Sequence, residues 1–226
     1  MSPLAGMCEA RLQTPVTDAL DQRDGDDVQQ RGEAEGLKGA EGLGFHLARG
    51  VRQFGEADGH AILAGAASLG IGYAFEDFCW KPSLILRADA ISGGDGEGTV
   101  HTFNPLFQAN NYFNEGGFIS PSNLYNLNPL LVLKPRDNLT VNLGVNFQWR
   151  FDAEDSVYGA PLQVLGGPAP DGQTYLGTAL NLSVEWNPFP ATTLFLGYTH
   201  HDAGPSLTSI GGTDVDYLQL SVRQEF

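Results

Sequence analysis

The sequence predicts an all-β fold, an antiparallel up-and-down transmembrane β-barrel region with about seven or eight strands. Three observations predict it: long segments that alternate apolar and polar residues, connections that alternate between short turns and long loops, and aromatic residues near the ends of the apolar rows. Glycine is abundant, at 29 of 226 residues, which fits many strands and turns. The formal net charge of −15 argues against a nucleic-acid partner, because few cations could neutralise phosphates.

The chain divides into two regions. Residues 1–41 are polar, acidic and poor in aromatics, and they show no strand alternation. This composition predicts a disordered or poorly packed tail. Residues 42–226 are predicted to form the barrel.

Alternation with a period of two places the strands in order along the chain. The clearest case is "LTVNLGVNFQWRF", residues 139–151, in which every second residue is apolar without a break. Such strict alternation indicates a strand with one apolar and one polar face. The predicted strands are 44–54, 60–75, 82–92, 123–134, 138–151, 174–187, 192–201 and 214–226. Short turns such as "KPRD" and "NPFPAT" are marked by proline, whereas the links 93–122, 152–173 and 202–213 are long.

Strand length favours lipid as the partner of the apolar faces. Residues 139–151 would extend roughly 43 Å at about 3.3 Å per residue, well beyond a typical soluble strand. Aromatic side chains fall where interfacial girdles belong, at Tyr73, Phe75, Trp149, Phe151, Trp186 and Tyr198. Two alternatives stay open: a complete small barrel with a structural or adhesive role, and a soluble β-sandwich that binds carbohydrate.

The stretch "TFNPLFQANNYFNEGG", residues 102–117, is too long for a hairpin turn and too aromatic for a disordered linker. Together with "SPSNLYNLNPLLVLKPRDNLTV", "FQWRFDAEDSVYG" and "TYLGTALNLSVEWNP", it resembles the alginate-export family of outer-membrane β-barrels. The resemblance covers about residues 59–226 and corresponds to the C-terminal portion of that family, which implies that the chain forms an incomplete barrel.

The resemblance implies a channel in the bacterial outer membrane for an anionic polysaccharide or another solute, with no enzymatic activity and no cofactor. It implies outer-membrane lipid as a partner, and assembly machinery that reads the terminal strand ending at Phe226. We attribute the absence of a signal peptide to truncation of the N-terminal strands. In this interpretation the loop folds into or over the barrel mouth, with Asn104, Phe107, Asn110, Tyr112 and Phe113 as candidate sugar contacts.

Residues on the polar side of the alternating strands are the candidates to line a pore. These are Arg87, Asp89, Arg150, Glu185 and Arg223. Arginine binds carboxylates through a planar fork, so the arginines could guide a polyanion; alternatively they form ion pairs that brace the wall. We find no nucleophile motif or phosphate-binding loop, and the adjacent His200 and His201 should point to opposite faces of a strand, which predicts no metal site there.

Overall fold

The fold was obtained as a computed structural model, which describes residues 44–57, 59–96, 98–105 and 112–225. The predicted tail at 1–41 and the terminal Phe226 lie outside the described residues. The described chain is almost entirely strand, which confirms the predicted all-β class. One short helix is present, and no helix there is long and apolar enough to cross a membrane.

Eight long strands match the eight predicted ones to within three residues at each described end. They are β1 (Gly44–Ala57), β2 (His60–Ala74), β3 (Ser83–Ile91), β6 (Leu124–Arg136), β7 (Leu139–Arg150), β10 (Tyr175–Phe189), β11 (Thr192–Ala203) and β12 (Val215–Gln224). Short elements occupy the long loops: β4 (Asp95–Gly96), β5 (Thr99–Val100), β8 (Val157–Gly159), β9 (Gln163–Gly166) and α1 (Pro205–Thr208).

The long strands form one antiparallel meander in which each long strand pairs with the next long strand along the chain. The pair β7 and β10 follows this rule, because only the short β8 and β9 lie between them in sequence. The short β5 adds a parallel pair to the start of β2. Among the described residues β1 pairs only with β2 and β12 only with β11, so the sheet is open. The up-and-down order agrees with a barrel wall.

Connection lengths differ between the two ends of the sheet. At one end the links are 75–82, 137–138 and 190–191; at the other end they include 92–123, 151–174 and 204–214. Short turns at one end and long loops at the other are typical of outer-membrane barrels. We refer to these as the turn end and the loop end.

The two faces of the sheet are inverted relative to a soluble protein. Apolar side chains of the outer face are exposed, for example Leu218 at 70% and Leu220 at 75%. The opposite face carries buried polar residues, among them Asn126, Asn146 and Gln148. A soluble β-sandwich would pack its apolar face against a second sheet, whereas this face is uncovered over most of the sheet and is suited to lipid.

Aromatic residues mark both edges of the apolar band. Trp149 and Tyr175 are in contact at the loop end, and Tyr125 stacks on Phe151 beside them. At the turn end, Trp186 pairs in register with Leu139. The ten-residue step from position 139 to Trp149 corresponds to about 33 Å along the strand. A tilt of about 40° reduces this to about 25 Å, the height of the apolar band of such barrels.

The apolar core is small and lies at the loop end, between the strand ends and the loops. Its buried members are Ala64, Ile91, Phe103, Ile119, Leu124, Val157, Leu176 and Leu207. Phe113 and Phe118 pack against it. The core therefore holds the long loops on the inner face, where the candidate site lies.

Candidate functional site on the polar face of the sheet

The second half of the long loop, residues 112–123, folds onto the polar face; we call it the inward segment. Asn146 on β7 donates a hydrogen bond from Nδ2 to the carbonyl oxygen of Phe113 at 2.9 Å. The ring of Phe118 lies 6.2 Å, centroid to centroid, from the rings of His201 on β11 and Tyr217 on β12. The segment thus crosses the inner face from β3 to β12.

Tyr112 joins the inward segment to an ion pair on the wall. Arg87 donates from Nε and Nη2 to Asp89 Oδ1 at 3.0 and 2.9 Å, and Asn126 Nδ2 donates to Asp89 Oδ2 at 3.0 Å. Tyr112 donates to Asp89 Oδ1 at 3.3 Å, while the Arg87 guanidinium carbon lies 4.3 Å from its ring centroid. The side chain of Arg87 is 29% exposed and that of Asp89 only 1%, so part of the Arg87 side chain stays accessible on the inner face.

Burial raises the pKa of the Tyr112 phenol above its ordinary value, and the neighbouring Asp89 raises it further, against the opposing effect of Arg87. The phenol therefore stays protonated at neutral pH. It remains a hydrogen-bond donor to the carboxylate, which keeps the inward segment attached to β3.

Arg150, one of the sequence-predicted pore-lining residues, is buried beneath the loops. Its guanidinium donates to Ser206 Oγ at 2.6 Å and to the carbonyl oxygens of Asp155 and Gly167, both at 2.8 Å. A longer contact of 3.5 Å reaches the carbonyl oxygen of Ser206. These partners lie in the 151–174 and 204–214 loops, so Arg150 ties both loops to the end of β7.

Asp155 links its own loop, 151–174, to the 92–123 loop, which is far away in sequence. Its Oδ2 accepts from the backbone nitrogen of Gly94 at 2.8 Å and from Thr102 Oγ1 at 2.6 Å. Its Oδ1 accepts from Tyr158 Oη at 2.8 Å and from the backbone nitrogen of Ser156 at 2.6 Å. The loop end is therefore a connected polar assembly.

The remaining predicted charges lie towards the turn end. Glu185 pairs in register with Thr140, and Arg223 with Thr193; both are exposed on strands whose polar face is the inner one. The ion pairs that the structure contains among its described residues are Arg87–Asp89 and His200–Asp216. Arg223 consequently has no acidic partner in the described part of the chain.

Arg49 is an inner-face cation that the sequence did not reveal. It pairs in register with Ser68, which pairs with Asp89, and it is exposed without an ion pair to a described residue. Strand β1 mixes apolar and charged residues on both faces, so alternation alone gave no orientation. Its orientation follows from its pairing with Ser68, which lies on the side of β2 that carries the small residues Ala64, Ala66, Gly70 and Gly72.

The predicted sugar-contact residues separate into three groups. Tyr112 and Phe113 lie on the inner face, with their rings in edge contact at 4.7 Å between centroids. Asn104 is exposed, and its backbone nitrogen donates to Gln53 Oε1 at 2.9 Å. Phe107 and Asn110 lie outside the described residues.

The arrangement is suited to binding and passage of polar solutes. Cationic, acidic and neutral polar side chains line one face, and a polar-and-aromatic segment lies over it. Within the described ranges no three His, Cys, Asp or Glu side chains are grouped to hold a metal ion. His200 points outward to Asp216, whereas His201 is buried on the inner face.

A meander with an apolar lipid-facing side, aromatic residues at both edges, long loops at one end and a polar inner face defines a transmembrane β-barrel protein of the outer-membrane type. The chain belongs to the alginate-export family: the family described as "Alginate export" matches residues 17–221. This is a family of outer-membrane transport proteins, not of enzymes. No curated protein matches the sequence.

Proposed function

We propose that the polar face of this chain lines a passage for an anionic polysaccharide of the alginate kind. Membership of the alginate-export family supports this proposal. The observation that carries it is the set of accessible guanidinium groups on the inner face, at Arg49, Arg87 and Arg223. A cation between low-dielectric walls concentrates carboxylates, and several along one face let a polyanion move from one to the next.

Arg150 has a different role in this proposal. Its guanidinium is enclosed by neutral oxygen atoms and is only 1% exposed, so it positions the loops at the mouth of the passage. Arg87 has an intermediate role: it braces the wall through Asp89 and also offers the accessible part of its side chain to the lumen.

The test is the reversal potential of the full chain in planar bilayers under a salt gradient. We expect a conducting pore in which replacing Arg49 and Arg223 together by Gln shifts the reversal potential towards lower anion preference. Arg52→Gln is the matched control, because Arg52 pairs with Gly65 on the opposite face of the same strand as Arg49. Absence of current, or equal shifts in the double variant and the control, would contradict the proposal.

A further inference from the structure

Four buried polar atoms on the inner face have no hydrogen-bond partner among the described residues. They are Asn126 Oδ1, Gln148 Nε2, Gln148 Oε1 and His201 Nε2. Asn126 is 4% exposed, Gln148 0% and His201 3%. Unpaired polar groups are rare in protein interiors, so a group of four calls for an explanation.

The three side chains lie side by side across the sheet. Asn126 on β6 is directly opposite Gln148 on β7, and Gln148 is opposite Gly177 on β10. A Cβ atom at Gly177 would lie 2.7 Å from His201 Nε2, so the imidazole uses the space that this glycine leaves free. Directly opposite residues have Cβ atoms about 5 Å apart, which brings the imidazole next to Gln148. We call these three residues the polar row.

Among the described residues, buried side-chain polar atoms without a partner occur only in this row. Next to it on β7, Asn146 bonds to the carbonyl of Phe113, and Arg150 bonds to the loops. Asn126 itself donates to Asp89 and lacks a partner only at its oxygen. Of these partners only the Phe113 carbonyl belongs to the inward segment, whose Phe118 ring lies 6.2 Å from the ring of His201 and offers that residue an aromatic surface. Covering the row is therefore unfavourable, and uncovering it would let its atoms form hydrogen bonds.

The chemistry of the row indicates its ligand. Two carboxamides and an imidazole offer both donors and acceptors, without a fixed charge in the row. Hydroxyl groups, which donate and accept at once, complement this set, whereas carboxylates can only accept. We propose that the polar row is a binding site for the hydroxyl groups of a sugar chain, reached when the inward segment moves off the wall. This proposal rests on the proposed passage and adds a site for the uncharged part of the cargo.

The first test uses block of the ion current by a neutral linear oligosaccharide in planar bilayers. Gln148→Leu keeps the side-chain volume and removes both unpaired atoms, and we expect block to weaken about threefold to tenfold, as loss of one hydrogen bond implies. Thr199→Val is the control: Thr199 is buried two residues from His201 but is paired with Asn181 Oδ1 at 3.1 Å, and its replacement should leave block unchanged.

The second test fixes the inward segment with a reducible tether. A Cβ atom at Gly197 would lie 3.3 Å from Glu115 Cβ, near the spacing of about 3.8 Å in disulfides. In the Glu115→Cys/Gly197→Cys variant we expect oxidation to abolish block by the oligosaccharide and reduction to restore it. Both native cysteines, Cys8 and Cys79, are replaced by Ser in these variants, and variants that carry only one of the introduced cysteines should not respond.

Two results would overturn the proposal while the pore still conducts. In the first, the oligosaccharide blocks Gln148→Leu as strongly as it blocks the wild type, which would make the row a water-filled part of the wall. In the second, block persists in the oxidised double-cysteine variant. Absence of ion current in the wild-type chain would instead contradict the proposed passage, and the polar row's role with it.

Discussion

Leu143→Arg is expected to lower the free energy of unfolding in lipid vesicles by about 2–4 kcal/mol, the cost of a cation on the lipid-facing side near the bilayer midplane. Leu143 lies in the middle of β7, pairs in register with Leu131 and Leu182, and is exposed on the apolar face. The physical reason is that no lumen water or acidic partner is available on that side to solvate a guanidinium.

Asn142→Arg is the matched control, one residue away on the opposite face. Asn142 donates to Ser183 Oγ at 3.0 Å and lies on the half-exposed part of the inner face, clear of the inward segment's contacts at Asn146. We expect a cost below about 1 kcal/mol, because an arginine there can extend into the lumen. Denaturant titration of both variants in the same vesicles compares the two faces, and equal losses would contradict the face assignment.

Arg150→Ala is expected to be the most destabilising change at the loop end, with a loss of about 3–5 kcal/mol, since it leaves several buried oxygen atoms unpaired. Arg150→Lys should recover only part of this loss. A single ammonium group cannot supply the planar set of donors that reaches Ser206, Asp155 and Gly167 together.

The same denaturant titration, with limited proteolysis of the 151–174 and 204–214 loops, measures this effect. Arg223→Ala is the control, because Arg223 is exposed and without an ion pair among the described residues, and its loss should stay within about 0.5 kcal/mol. Wild-type stability in Arg150→Ala would show that the guanidinium does not hold the loops.

Strand positions could be predicted from the sequence because alternation is a local property. In β7 the register of apolar and polar residues fixes both the strand and its faces without reference to the rest of the chain. The short elements β4, β5, β8 and β9 were not predicted, since two to four residues carry too little periodicity. The helix α1 has a single turn, and its signal in the sequence is equally weak.

The roles of side chains depend on contacts between distant segments, which local patterns do not contain. The alternation of polar and apolar residues along β7 placed Arg150 on the polar face. Only the folded loops show that Ser206, 56 residues away, accepts its hydrogen bond. The link from Asp155 to Gly94 spans 61 residues. Likewise, the space above Gly177 that admits His201 arises from the pairing of β10 with β11.

The central claim is that one face of the sheet meets lipid and the other lines an aqueous passage. The most direct test replaces Cys8 and Cys79 by Ser, introduces one cysteine at a time at Thr140, Val141, Asn142 or Leu143, and labels it with an environment-sensitive fluorophore in vesicles. The account predicts quenching by brominated lipid at positions 141 and 143, and quenching by a water-soluble agent at 140 and 142. Quenching that does not alternate with position along β7 would contradict it.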